Sequence, residues 1–111
     1  MGMKPHGWLL ALLLAATVIN YPNPFNPKSG QITTIKCTPD TTAEAFLYIY
    51  DMSARLLLRK DFDLEGGSAN YTTWDGYSDY NELVGNGIYL YQIIDKAKKR
   101  IAKGKIWVIN Q

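Results

Sequence analysis

The sequence predicts an all-β fold: an antiparallel two-sheet sandwich of about seven short strands, preceded by an apolar signal-peptide helix. Three observations predict it. Runs of alternating apolar and polar residues recur at short intervals, Gly, Pro, Asn and Asp punctuate them, and no segment beyond the leader shows a helical period. At 111 residues the chain holds one domain, divided here into a leader at 1–19 and a folded domain at 20–111.

The elements follow in order. Lys4 and the amino terminus precede an apolar run from Trp8 to Ile19, the layout of a secretory signal peptide. The run falls short of the roughly twenty apolar residues a membrane span needs, so no permanent span is expected. Ala15, Ala16 and Thr17 are the small residues near a cut, and no cysteine follows that could take a lipid. Export across the inner membrane is therefore expected. Next comes Tyr21-Pro22-Asn23-Pro24-Phe25-Asn26-Pro27. Its prolines fix φ and withhold donors, so it runs extended as a strap, with Tyr21 and Phe25 pressing on a sandwich edge.

Ile32 to Cys37 reads as a strand with Ile35 and Cys37 inward, because Lys36 prefers water. Thr38 to Thr42 breaks it, and Ala45 to Tyr50 is a strong strand. Asp51 to Ala54 turns the chain into Arg55 to Phe62, where Leu56, Leu57 and Leu58 compete for the core. Glu65-Gly66-Gly67-Ser68 breaks again before Ala69 to Trp74, with Trp74 as the large core residue. A loop through Tyr80, the stretch Asn81 to Val84 and the turn Gly85-Asn86-Gly87 lead to Ile88 to Asp95. There Gln92 places Tyr89, Tyr91 and Ile93 inward. Lys96 to Lys99 turns the last hairpin, and Arg100 to Asn110 closes the sheet. The sum is an immunoglobulin-like sandwich.

The strap, Ile49-Tyr50-Asp51, Ala54-Arg55, Trp74-Asp75-Gly76, Gly87-Ile88-Tyr89-Leu90-Tyr91 and a lysine-bearing last strand occur in this order from Asn20 to Gln111. The series resembles the type A C-terminal sorting domain of the type IX secretion system, related to flagellar-hook-capping-type immunoglobulin-like domains. Three departures stand out: Ala54 replaces a usual glycine, Asn81 another, and Ser29-Gly30-Gln31 lengthens the lead-in. The resemblance implies that Ala45, Leu47 and Ile49 face inward. Phe46 and Tyr48 then lie on the opposite face, covered by the strap or exposed. It also implies outer-membrane secretion machinery as partner, passage through the periplasm, and an end point at the cell surface or outside. In this family the domain trails a cargo, whereas here the leader runs almost directly into it. The frame is then either a truncated one or a domain exported for itself.

The site residues follow from the same motifs. Tyr21 to Pro27, Asp51, Trp74, Asp75, Gly76, Gly87, Ile88 and Tyr89 are expected to serve folding, and Lys103 and Lys105 on the last strand recognition. Strand addition is the means, with backbone bonds giving affinity and alternate side chains specificity. Lys96, Lys98, Lys99, Arg100, Lys103 and Lys105 cluster, and this cluster reads either as a solvated edge that discourages aggregation or as a docking patch. With a net charge of +2, no field points to nucleic acid.

Other chemistry is sparse. Cys37 is the single cysteine and reads as a small buried apolar residue; His6, the single histidine, lies in the leader. No serine or cysteine has a histidine base, so no enzyme and no cofactor are expected. Asp75, Asp79, Asn81 and Glu82 crowd one loop without the spacing of a calcium loop, and ordinary turn chemistry is the expectation. Asn70-Tyr71-Thr72 fits a glycosylation triplet but lies in an expected strand. Tyr77, Tyr80 and Trp107 could stack on sugars, which supports the alternative of a stand-alone structural or adhesive module binding protein or surface glycan.

Overall fold

The computed structural model describes residues 16–111; the body of the expected leader lies outside them. Seven strands form: β1 (Thr17–Tyr21), β2 (Thr33–Thr38), β3 (Ala45–Tyr50), β4 (Leu56–Asp61), β5 (Asn70–Trp74), β6 (Gly87–Asp95) and β7 (Arg100–Val108). One 3-10 turn, Pro27–Ser29, is the only helical element among the described residues. All pairings between strands are antiparallel, in a three-stranded sheet ordered β1-β2-β5 and a four-stranded sheet ordered β4-β3-β6-β7. These orders correspond to strands A-B-E and C′-C-F-G of an immunoglobulin-like sandwich.

The count agrees with expectation, and the one member not expected as a strand is β1. β1 starts at Thr17, three residues ahead of the boundary drawn at Asn20, and pairs Thr17 through Tyr21 with Thr38 through Thr34. The stretch Asn81 to Val84 contributes no strand, only the bridge of Leu83 to Tyr77.

Alternation decides what goes inside. Ile35 and Cys37 of β2, Ala45, Leu47 and Ile49 of β3 and Ile93 of β6 are fully buried. Trp74 is buried too, with its indole Nε1 donating to the Tyr77 carbonyl at 2.9 Å. Thr33 is the one fully buried polar residue among those described, and its hydroxyl is satisfied by the Pro22 carbonyl at 2.9 Å. A bulge resolves the leucine run: the register shifts at Ile49/Tyr50, so Leu57 is buried, Leu58 packs partly on the core opposite Ile49, and Leu56 stays exposed.

Tyr89 and Tyr91 do turn inward, and each hydroxyl finds a partner. Tyr89 donates to the Gly85 carbonyl at 2.7 Å, and Tyr91 crosses the sandwich to Asn20 Oδ1 of β1 at 3.0 Å. The Tyr91 ring lies directly over Gly104 of β7, where a Cβ would collide with it. Gly104 thus has a packing reason to lack a side chain.

The strap does not cover Phe46 and Tyr48. Both are half-buried on the outer face of β3, where Tyr48 lies 6.1 Å from Phe46 and 6.3 Å from Tyr50. The Arg59 guanidinium stands 4.3 Å from the Phe46 ring centroid, and Lys96 Nζ 5.9 Å.

Candidate recognition edge

The strap docks as an eighth, irregular strand on the outer edge of β7. Phe25 N–H donates to the Trp107 carbonyl at 2.9 Å, and Ile109 N–H donates to the Phe25 carbonyl at 3.0 Å. Asn23 imitates the backbone with its side chain: Oδ1 accepts from Trp107 N–H at 2.7 Å and Nδ2 donates to the Lys105 carbonyl at 3.3 Å. Proline cannot donate, so the side-chain amide between Pro22 and Pro24 supplies what the ladder lacks. Further along, Asn26 Oδ1 accepts from Ser29 N–H and Gln111 N–H, each at 3.3 Å. Asn110 Oδ1 accepts from Lys28 N–H at 3.1 Å. The C-terminal residues are laced to the strap.

Below this edge the motif residues converge. The Phe25 ring, 1% exposed, sits 5.7 Å from Trp74, which meets Tyr89 edge-on at 5.7 Å. Gly76, at φ +85°, lies against the Pro27 ring with no room for a Cβ. Asp75 Oδ1 accepts from Tyr77 N–H at 3.0 Å. Asp51 Oδ1 accepts from Ser53 and Arg55 N–H, each at 2.9 Å, beside a depression of about 190 Å³ that it shares with Tyr89. Tyr21 differs from its partner Phe25: its side chain faces outward and remains 45% exposed. It contributes backbone pairing with Thr34 rather than core area.

Lys103 and Lys105 stand apart from this plug. Both are exposed on the outer face, Lys103 opposite Gln92 and Lys105 opposite Leu90, with Trp107 next in the same row opposite Ile88. With Arg100 they border a shallow depression of about 320 Å³ floored by Leu90, Gln92 and Gly104. The ion pairs among the described residues, Arg55–Glu82 at 3.8 Å and Lys96–Glu44 at 2.9 Å, leave these three cations out. The carboxylate of Glu44 holds Lys96 above its ordinary pKa through that hydrogen bond. Strap bonds reach β7 only from Lys105 onward; nearer Arg100 the neighbour of β7 is β1, which runs close to it without a shared ladder among the described residues.

The remaining polar groups are committed locally. Asp79 Oδ2 accepts from Arg59 N–H at 3.0 Å, which blunts the β4 edge. Asn70 Nδ2 donates to the carbonyls of Cys37, Glu65 and Ser68, within the strand expected to hold it. Among the described residues no three His, Cys, Asp or Glu side chains gather as metal ligands. Burial pushes the Cys37 thiol up to about 11 and the Tyr91 hydroxyl up to about 12. Two participants escaped sequence reading, Asn20 beneath Tyr91 and Asn110 on the strap. Neither stands in a pattern that local composition marks.

No family model and no curated protein match the chain. Solved structures do. Dimeric latent PorU from Porphyromonas gingivalis aligns at 26% identity and TM-score 0.70, over 86% of this chain and 9% of that one. PorZ, described as an essential bacterial surface component of the type-IX secretion system of the same organism, aligns at 24% identity and TM-score 0.59, over 84% and 11%. FlgD from P. aeruginosa shares the fold at 11% identity and TM-score 0.61, over 85% and 74%. The chain thus spans about a tenth of each Por protein, and what it shares with them is one immunoglobulin-like domain.

Proposed function

We propose that this domain is a non-enzymatic sorting module that directs export across the outer membrane and surface attachment by the type IX system. The observation that carries the reading is the alignment with PorU: at 26% identity it covers 86% of this chain but only 9% of the larger protein. A domain of that kind is a unit that larger chains carry. The ordered motifs from Tyr21 to Lys105 support the same reading, as does the likeness to PorZ, a surface component of that system. In this view the strap, Asp51, Trp74-Asp75-Gly76 and Gly87-Ile88-Tyr89 build the fold. The outer face of β7, with Lys103 and Lys105, meets the secretion machinery.

The test is a fusion of residues 17–111 behind a periplasmic reporter in a type IX-competent bacterium. The reporter is expected on the cell surface. Retention in the periplasm with the domain folded would sink the proposal. A second reading, an adhesive module for surface glycan or protein, is favoured by one observation: Tyr77, Tyr80 and Trp107 are 40%, 64% and 50% exposed. Titrating the protein with oligosaccharides while following tryptophan emission separates the two, since sorting alone expects no change.

A further inference from the structure

The apolar run and the first strand claim the same residues. Thr17, Val18 and Ile19 end the run that begins at Trp8, yet all three lie in β1. Val18 pairs with Cys37 and packs on the core, and Asn20 receives the Tyr91 hydroxyl at 3.0 Å. A leader extending to Ile19 would carry off the first three residues of a five-residue edge strand. The run from Trp8 to Ala16 is long enough without them, since an h-region needs roughly 7–15 residues, and Ala15 or Ala16 supplies a small side chain directly before a cut.

We propose that the leader is removed at one of the two amide bonds flanking Ala16, so that the mature chain begins at Ala16 or Thr17 with β1 whole. The inference rests on the export reading above. The step is hydrolysis by a membrane-bound endopeptidase that accepts small residues. One water adds across the amide, the C–N bond breaks and a C–O bond forms, the leader leaves with a carboxylate, and the domain gains an α-ammonium.

The experiment is expression of the full chain in a Gram-negative host, with intact mass and N-terminal sequencing of the exported protein. A first residue of Ala16 or Thr17 is expected. Any other new first residue overturns the inference and leaves export standing, whereas a chain that keeps Met1 overturns both. The double variant Ala15→Leu/Ala16→Leu is expected to retain the leader, seen as the corresponding gain in mass. Processing that continues with the same end would also overturn the assignment.

Discussion

Ala54 and Asn81 hold φ of +67° and +60°, a left-handed backbone that a Cβ resists and glycine accepts. The two places where the sequence departs from the glycine of the domain it resembles are therefore places where the fold still asks for that conformation. Asn81 tolerates it through its short polar side chain, but Ala54 has no such compensation. Ala54→Gly should raise unfolding free energy by about 0.5–1 kcal/mol, read as a higher urea midpoint with unchanged slope. Two buried acids set a different residue-scale expectation. In the folded chain Cys37 ionises only at about 11, against an ordinary 9.0, and Tyr91 only at about 12, against 10.0. The unfolded chain therefore loses these protons first. Stability should be level up to about pH 9, fall between pH 9 and 12, and level again beyond, as the linkage relation requires. Urea unfolding at pH 7, 9.5 and 10.5 checks it, and Cys37→Val should flatten the early part of the decline.

At the scale of elements, the strap is what keeps β7 from presenting its full edge. Replacing Asn23 by Ala removes both side-chain bonds to Lys105 and Trp107 while leaving the Phe25 backbone bonds in place. The cost should be about 1 kcal/mol, with amide exchange at Trp107 faster by roughly fivefold and exchange in β3 following only the global loss. Unchanged exchange at Trp107 would refute the clamp. The elements also show what sequence can disclose. β6 was legible because period-2 alternation with one polar residue, Gln92, fixes the inward face, whereas β3 is apolar on both faces and its inward residues came from the resemblance alone. The strap was legible as extended, since proline dictates that locally, but its seat on β7 depends on contacts more than eighty residues apart, such as Asn23 to Trp107. β1 was hidden by a real ambiguity: Thr17 to Ile19 satisfy the composition of an apolar leader and of a β-branched strand alike. The leucine run was equally mute, because three consecutive leucines carry no period and only the bulge opposite Ile49/Tyr50 chooses among them. Of the candidate site, the lysines could be named from their place on the last strand. That the strap bonds this strand only from Lys105 onward could not.

For the whole molecule, the residues that build the fold and the lysines proposed for recognition lie on separate surfaces, and this separation makes the proposal testable. The plug of Phe25, Trp74 and Tyr89 joins the strap to both sheets, so damage there would unfold the domain and abolish any function indiscriminately. Lys103 and Lys105 are exposed, outside every ion pair of the described residues, and bonded to the core only through backbone. Reversing both, Lys103→Glu/Lys105→Glu, should leave unfolding free energy within about 0.5 kcal/mol of the parent. If the outer face of β7 around Lys103 and Lys105 is what the machinery reads, the same double variant should cut surface delivery of a fused reporter at least tenfold while the module stays folded in the periplasm. Lys98→Glu/Lys99→Glu, at the tip of the β6–β7 hairpin, makes the same change in net charge away from that depression and should leave delivery intact. Equal loss from both pairs would mean that bulk charge, not this edge, governs transit, and delivery unchanged by the first pair would remove Lys103 and Lys105 from recognition altogether.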